Sequence, residues 1–163
     1  MMIKKALYGV VFFLMTLSVV HAAESLSDQE DLVGPVSASN LLMLDAFSAS
    51  YEAAIISEQE ITSLASIDAA VTLRVLFGTW CHDSVREVPK LIKLIELAEN
   101  PNLSLQLTAI SRDKLEPSAD VARYGLKFTP TLVVLKDKKD IGRIIEQPET
   151  NWAGDIIALI QQH

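Results

Sequence analysis

A strand-like segment that passes directly into a helix-like segment constrains the fold of this chain more than any other feature. Val71–Phe77 is rich in β-branched and apolar side chains, as in a central strand that is covered on both faces. The sequence then predicts a helix that buries one apolar stripe and runs to about Ala98. The stripe has the spacing i, i+3, i+4 and i+7 and consists of Val88, Leu91, Ile92 and Ile95. Cys81, the single cysteine of the chain, lies at the junction.

The remaining patterns predict an α/β domain in which a mixed central sheet is flanked by helices, in the order βαβαβαββα. Ser57 and Glu60 form a capping box that starts a helix reaching to about residue 67. Pro117 and Gly125 bracket a shorter helix, and an apolar face that starts at Trp152 marks the last one. The predicted strands cover residues 51–56, 71–77, 103–108, 131–135 and 141–146.

The first residues have the pattern of an export signal. Lys4 and Lys5 precede an apolar stretch over residues 6–20, and Val20-His21-Ala22 fits a small-x-small cleavage site. We therefore expect a signal peptide over residues 1–22, with cleavage near Ala22 and a periplasmic or secreted product. The apolar stretch of about 15 residues is shorter than the roughly 20 that a spanning helix needs, so no permanent membrane anchor is expected.

The mature chain is expected to divide into an acidic leader, residues 23–50, and one folded domain, residues 51–163. Residues 24–36 are polar and acidic and contain Gly34-Pro35, which predicts a flexible segment. A short helix is predicted over residues 40–47. Removal of Lys4 and Lys5 lowers the formal net charge from −7 to −9, which argues against nucleic acid as a partner.

A lone cysteine limits the chemistry that is open to an exported chain. Exported proteins mostly use cysteine in disulfides, and Cys81 cannot form an internal one. Such a thiol is either buried and inert or exposed and reactive. After cleavage only Cys81, His82 and His163 offer soft ligands, so no structural metal site is expected.

Three landmarks give residues 51–162 a resemblance to the thioredoxin superfamily. The first is Trp80-Cys81 at the strand-to-helix junction. The second is Pro89, where thioredoxins carry a kinking proline in the active-site helix. The third is Tyr-Gly-Leu-Lys-Phe-Thr-Pro-Thr-Leu over residues 124–132, which is similar to the family's Tyr-Gly-x-x-x-x-Pro-Thr-Leu stretch before its cis-proline strand. The resemblance implies a thioredoxin-like fold in which Pro130 is the cis-proline.

Two departures from the family pattern imply a monothiol site. The family's Trp-Cys-x-x-Cys is Trp-Cys-x-x-Ser here, so Ser84 replaces the cysteine that resolves the mixed disulfide. Val75 stands where thioredoxins carry a buried acidic residue that is thought to assist resolution. Cys81 and Ser84 are the expected catalytic residues, with the Ser84 hydroxyl donating a hydrogen bond to the Cys81 thiolate. Release must then await an outside thiol or another sulfur in the substrate.

The resemblance places four further residues, Trp80, His82, Thr129 and Pro130, at the substrate-binding surface. Cys81 would lie at a helix N-terminus, where free amides and the helix dipole lower the thiol pKa. His82 either tunes this thiol or is simply an exposed turn residue. Thr129 either lies against the sulfur and a bound peptide or serves only as a strand residue.

The resemblance leaves two main functions open. In the first, Cys81 attacks protein disulfides or glutathionylated substrates and an external reductant thiol resolves the product, with no cofactor and with glutathione as a potential co-substrate. In the second, the chain is a non-catalytic binding module that uses the Trp80 and Pro130 surface. Thiol peroxidase chemistry ranks last, because Val75 and Gly78 stand where peroxiredoxins carry proline and threonine.

Overall fold

The strand that precedes Cys81 is the central strand of a five-stranded sheet. The computed structural model describes residues 31–163, and the predicted signal peptide lies outside them. The strands are β1 (Gly34–Val36), β2 (Val71–Phe77), β3 (Leu103–Ala109), β4 (Thr131–Lys136) and β5 (Lys139–Ile145). The helices are α1 (Ala38–Leu41), α2 (Asp45–Ala53), α3 (Glu58–Ala65), α4 (His82–Ala98), α5 (Ser118–Tyr124) and α6 (Trp152–Gln161).

The sheet is mixed and has the order β1-β3-β2-β4-β5. β2 runs parallel to β3 and antiparallel to β4, and the two outer pairs are antiparallel. Leu73, Val75 and Phe77 of β2 join the larger apolar cluster, and Leu76 joins a smaller one on the opposite face. The predicted mixed sheet flanked by helices is therefore confirmed, with β2 covered on both faces.

The helix that follows Cys81 buries the stripe that its spacing predicts. Val88, Leu91 and Ile92 are fully buried, and Ile95 packs against the same cluster at its edge. Pro89 lies inside α4 and is itself buried. Burial of this stripe against the sheet fixes α4, and it thereby fixes the position of Cys81 at the start of the helix.

The expected first strand, residues 51–56, is wrong. Its first three residues end α2, in which Tyr51 lies one helical turn after the buried Phe47. The Tyr51 hydroxyl donates a hydrogen bond of 2.5 Å to Glu96 on α4. Ile55 follows the helix and is 95% exposed, so it does not join the sheet. Glu52, Ala53 and Ala54 are poor strand formers, and packing of α2 on α4 holds residues 51–53 in a helix.

The first strand lies instead within the segment that was expected to be flexible. Gly34–Val36 pairs antiparallel with Leu107–Ala109 of β3 at the edge of the sheet. An edge strand tolerates Pro35, which has no amide hydrogen to donate. The single helix expected over residues 40–47 is two helices, α1 and α2, and Leu41 at the end of α1 is fully buried. The packed core therefore begins before residue 51.

Phe47→Ala is expected to destabilise the fold by about 3–5 kcal/mol, because a fully buried aromatic side chain leaves a cavity when it is truncated. The Phe47 ring packs edge to face on Phe77, with ring centroids 6.0 Å apart. The midpoint of urea unfolding, followed by circular dichroism, measures the change. Met43→Ala in the same segment is the control, because Met43 is 78% exposed. Equal effects of the two substitutions would contradict a core role for residues 38–53.

Within residues 31–163, no helix is both long enough and apolar enough to cross a membrane. The apolar stretch over residues 6–20 lies outside this range. The predictions of a signal peptide and of its cleavage near Ala22 therefore stay predictions.

Candidate active site

Cys81 lies where β2 ends and α4 begins. A tight turn joins the two elements, in which the Cys81 amide donates to the Gly78 carbonyl oxygen at 3.0 Å. Cys81 is the N-cap residue of α4, and its own carbonyl oxygen accepts from the Val85 amide at 3.0 Å. The residue is half-buried and makes no disulfide. The thiol therefore sits at the positive end of a 17-residue helix and keeps access to solvent.

The loop before β4 brings Thr129 and Pro130 to Cys81. The Thr129–Pro130 peptide bond is cis, as the family resemblance implies, and both residues are buried. The Cys81 thiol donates a hydrogen bond of 3.1 Å to the Thr129 carbonyl oxygen. Two segments 48 residues apart in the chain therefore meet at the sulfur.

Ser84 occupies the position of the second family sulfur and is fully buried. Its hydroxyl oxygen accepts a hydrogen bond of 3.2 Å from the Gly78 amide, so the side chain ties the first turn of α4 to the end of β2. Beneath the site, Val75 is 1% exposed and offers no ionisable group. Neither position can supply the thiol or the carboxylate that a dithiol mechanism uses in its second step.

The pKa of Cys81 is lowered from its ordinary value. Burial raises this pKa, but four neighbouring donors act in the opposite direction and outweigh burial. In order of effect they are the Thr129 side chain, the Ser84 backbone amide, the Ser84 hydroxyl and the Asp83 backbone amide. Two of the four are amides in the first turn of α4, which is the effect that the sequence predicts for a helix N-terminus. The Cys81 thiolate is therefore more populated near neutral pH than that of a free cysteine.

The rate of Cys81 alkylation by iodoacetamide is expected to rise with pH and to reach its plateau below the pH at which a free cysteine does. The thiolate is the reactive form, and a lowered pKa moves its formation to lower pH. Thr129→Val removes the strongest of the four donors at nearly constant volume. The midpoint of its curve of alkylation rate against pH should therefore move to higher pH. Identical midpoints for the two proteins and for a free cysteine peptide would contradict the hydrogen-bond account.

Trp80 packs against the turn and the end of β3. Its indole N–H donates to the Ile110 carbonyl oxygen at 3.0 Å. A Cβ atom added at Gly78 would come within 2.5 Å of the Trp80 ring, so glycine is required for this close approach. Trp80 is half-buried, and its position beside Cys81 is therefore set by Gly78 and Ile110.

Two cationic side chains that no sequence motif indicates lie over the Trp80 ring. The Arg112 guanidinium lies 5.6 Å and the Lys114 ammonium 5.9 Å from the Trp80 ring centroid. Arg112 is held by two hydrogen bonds to the Asp31 carboxylate, at 3.1 and 3.2 Å. Beside them the Thr79 hydroxyl accepts from the Leu32 amide at 3.2 Å, so the chain before β1 also borders the site. These partners are distant in the chain, and only the fold brings them together.

His82 stands apart from the other predicted site residues. It is exposed, and none of the hydrogen bonds found within residues 31–163 involves its side chain. Asp83, the next residue, pairs with Arg86 at 2.7 Å, which offsets its negative charge beside the sulfur. The structure thus brings Trp80, Ser84, Thr129 and Pro130 to Cys81 and leaves His82 on the surface of the turn. Residues 31–163 contain no cluster of three metal-ligating side chains.

Comparison with known proteins agrees with this architecture. A thioredoxin family model matches residues 37–156. The structure of a Pseudomonas aeruginosa protein of unknown function is similar at a TM-score of 0.57 and 19% identity, over 78% of this chain and 98% of that one. An HIV epitope-scaffold protein is similar at a TM-score of 0.55 and 20% identity, over 78% and 99% of the two chains. Among curated proteins, none matches the chain.

Thioredoxin-2 from the malaria parasite, a component of its protein secretion machinery, has a TM-score of 0.45 and 21% identity, over 60% of this chain and 87% of that one. The predicted α/β thioredoxin-like fold is confirmed by the sheet, its flanking helices and the family match. Because that match spans most of the sequence, the chain belongs to the thioredoxin family.

Proposed function

We propose that this chain is a monothiol thiol–disulfide exchange protein of the cell envelope. The observation that carries the proposal is a half-exposed thiol with a lowered pKa at the start of α4, beside the cis-proline loop and with no second sulfur. Thioredoxin family membership suggests thiol–disulfide redox chemistry. Because Ser84 and Val75 supply neither a thiol nor a carboxylate, an external thiol must carry out the second step.

In the proposed reaction, the Cys81 thiolate attacks one sulfur of a substrate disulfide. The substrate S–S bond breaks, a bond forms between the Cys81 sulfur and the attacked sulfur, and the other substrate sulfur leaves as a thiolate. Cys81 is oxidised and the leaving sulfur is reduced, so electrons balance. An external thiol then attacks the mixed disulfide at the substrate sulfur and returns Cys81 to its thiolate.

The surroundings of the sulfur support both steps. The donors that lower the Cys81 pKa also make the thiolate a good leaving group when the external thiol attacks. Ser84 lies fully buried beneath the turn and accepts from the Gly78 amide, so the turn is held without a disulfide. Protein disulfides and glutathionylated cysteines are the proposed substrates, and glutathione is the proposed resolving thiol.

Incubation with oxidised glutathione tests the proposal. Intact-mass spectrometry should find one glutathione per chain, and reduced glutathione or dithiothreitol should remove it. The rate of adduct formation should follow the same pH dependence as alkylation, because both need the thiolate. An unreactive thiol in the folded protein, or one with the pKa of a free cysteine, would overturn the proposal.

A second candidate function is a binding module that needs no sulfur chemistry. The observation in its favour is Phe128, which is 49% exposed and directly precedes the Thr129–Pro130 bond. With Trp80 across the site, Phe128 offers apolar surface to an extended chain. Substitution of Cys81 separates this function from exchange.

The proposed location in the cell envelope rests on the export pattern of residues 1–22. Fractionation of cells that express the full chain tests it, together with sequencing of the mature N-terminus. A mature protein that begins near residue 23 and is released with the periplasm or the medium is the expected result.

A further inference from the structure

The loop between β3 and α5 places an ammonium group beside the candidate active site. Lys114 Nζ lies 5.9 Å from the Trp80 ring centroid and donates to the Lys127 carbonyl oxygen at 3.1 Å. Lys127 lies two residues before Thr129, whose carbonyl oxygen contacts the Cys81 sulfur. Lys114 thus bridges the two loops that flank Cys81, and the contact with the Lys127 carbonyl oxygen fixes its ammonium group there.

Within residues 31–163, no acidic side chain lies within ion-pair distance of Lys114. Two carboxylates near the site pair with other cations, Asp31 with Arg112 and Asp83 with Arg86. Asp113 accepts from the Ser111 hydroxyl and the Leu115 amide, which hold its carboxylate within its own loop. Lys127 forms no ion pair in this range either. Within the described residues, Lys114 therefore holds an ammonium group without an ion pair beside the site, on a chain whose formal net charge is −7.

We infer that Lys114 makes the site selective for disulfides that carry a carboxylate close to the attacked sulfur. The inference rests on the proposed exchange function and adds the chemical class of its substrate. A carboxylate near the attacked sulfur would meet an ammonium group that is already held in place, so little side-chain entropy is lost on contact. The net acidity of the chain would otherwise repel the same disulfide.

Three disulfides of similar size and different charge test this selectivity: 3,3′-dithiodipropionate, which is dianionic, 2-hydroxyethyl disulfide, which is neutral, and cystamine, which is dicationic. Second-order rates of mixed-disulfide formation are measured at pH 8 and low ionic strength. Each is divided by the rate of 2-mercaptoethanol with the same disulfide, because leaving-group pKa alters intrinsic reactivity. The normalised rate of the dianion should exceed that of the dication about 10-fold, and added salt should reduce the ratio.

Lys114→Gln should lower the dianion preference about 3-fold or more and leave the rate with the neutral disulfide nearly unchanged. Lys114→Arg keeps the charge and should keep most of the preference. Lys139→Gln is the matched control, because Lys139 is exposed at the start of β5, at the opposite end of the sheet. The salt dependence of the wild-type ratio needs no variant, so it tests the inference even if Lys114→Gln folds poorly.

The outcomes separate the inference from the function on which it rests. Reaction with all three disulfides at equal normalised rates would overturn the selectivity and leave the exchange function standing. No reaction with any of them would overturn both. Oxidised glutathione and a short peptide disulfide flanked by glutamates then distinguish the two sources of such a carboxylate, and a Lys114-dependent preference for either supports the inference.

Discussion

Ser84→Cys is expected to let the site release a captured substrate without an external thiol. The Ser84 hydroxyl and backbone amide both lie close enough to Cys81 to lower its pKa, so a sulfur at this position would lie beside the mixed disulfide. Attack within one chain gains from the held geometry, and we expect release to be at least about a thousandfold faster than in the wild type without added thiol.

The measurement follows the glutathione adduct of each purified protein by intact mass after excess disulfide is removed. The wild-type adduct should persist until a thiol is added, whereas Ser84→Cys should lose its glutathione and end as an internal disulfide. Ser84→Ala is the matched control, because it removes the hydroxyl but supplies no sulfur, so its adduct should persist. An adduct of Ser84→Cys that lasts as long as that of the wild type, in a folded protein, would contradict the proposed site geometry.

Ser84→Cys carries a structural cost that must be checked separately. The Gly78 amide donates to the Ser84 hydroxyl at 3.2 Å, and sulfur is a weaker acceptor. A buried donor that loses its partner costs about 1–3 kcal/mol. Urea unfolding of the reduced variant must therefore be measured as well. Slow release of glutathione contradicts the proposed geometry only if the variant is folded.

The sequence predicts the fold best where one periodic pattern decides the structure. β2 and α4 are examples. In a layered α/β domain, the continuous apolar run of β2 fits a central strand that is covered on both faces, and the apolar stripe of α4 at i, i+3, i+4 and i+7 fits a helix that packs on the sheet. The capping box of α3 is also confirmed, with the Ser57 hydroxyl accepting from the Glu60 amide. These signals are local, so no knowledge of tertiary contacts is needed to interpret them.

The N-terminal part of the chain could not be predicted in this way. Gly34-Pro35 has the composition of a flexible turn, yet β3 offers it an open edge and the pair becomes part of β1. Residues 51–53 extend α2 because Phe47 and Tyr51 face α4. Both outcomes depend on partners more than 40 residues away, and no local pattern contains that information.

The candidate site also contains some residues that the sequence predicts and others that only tertiary contacts bring to it. The family motif predicts Cys81, Ser84, Thr129 and Pro130 as site residues, and the structure brings these four residues together. The cations on Trp80 were missed because their positions depend on distant contacts: Asp31 and Arg112 are 81 residues apart in the chain. The proposed site thus combines a cysteine that the sequence identifies with charged neighbours that only the fold reveals.

Cys81→Ser is expected to abolish covalent capture completely. The hydroxyl of serine has nearly the same shape as the thiol but forms no disulfide, so no adduct should appear with oxidised glutathione, 2-hydroxyethyl disulfide or a glutathionylated model protein. Deglutathionylation of that protein in the presence of reduced glutathione should fall to the uncatalysed rate. Intact mass and the release of glutathione give the two readouts.

Cys81→Ser also decides between exchange and binding, because it leaves the apolar surface of Trp80 and Phe128 in place. Binding of a reduced, unfolded model chain is measured by fluorescence anisotropy for the wild type and the variant. If the protein is an exchange protein, the variant forms no mixed disulfide, and neither the wild type nor the variant binds the reduced chain. Equal and saturable binding by both proteins, together with a wild type that forms no adduct, would instead establish the binding module and leave Cys81 as a structural residue.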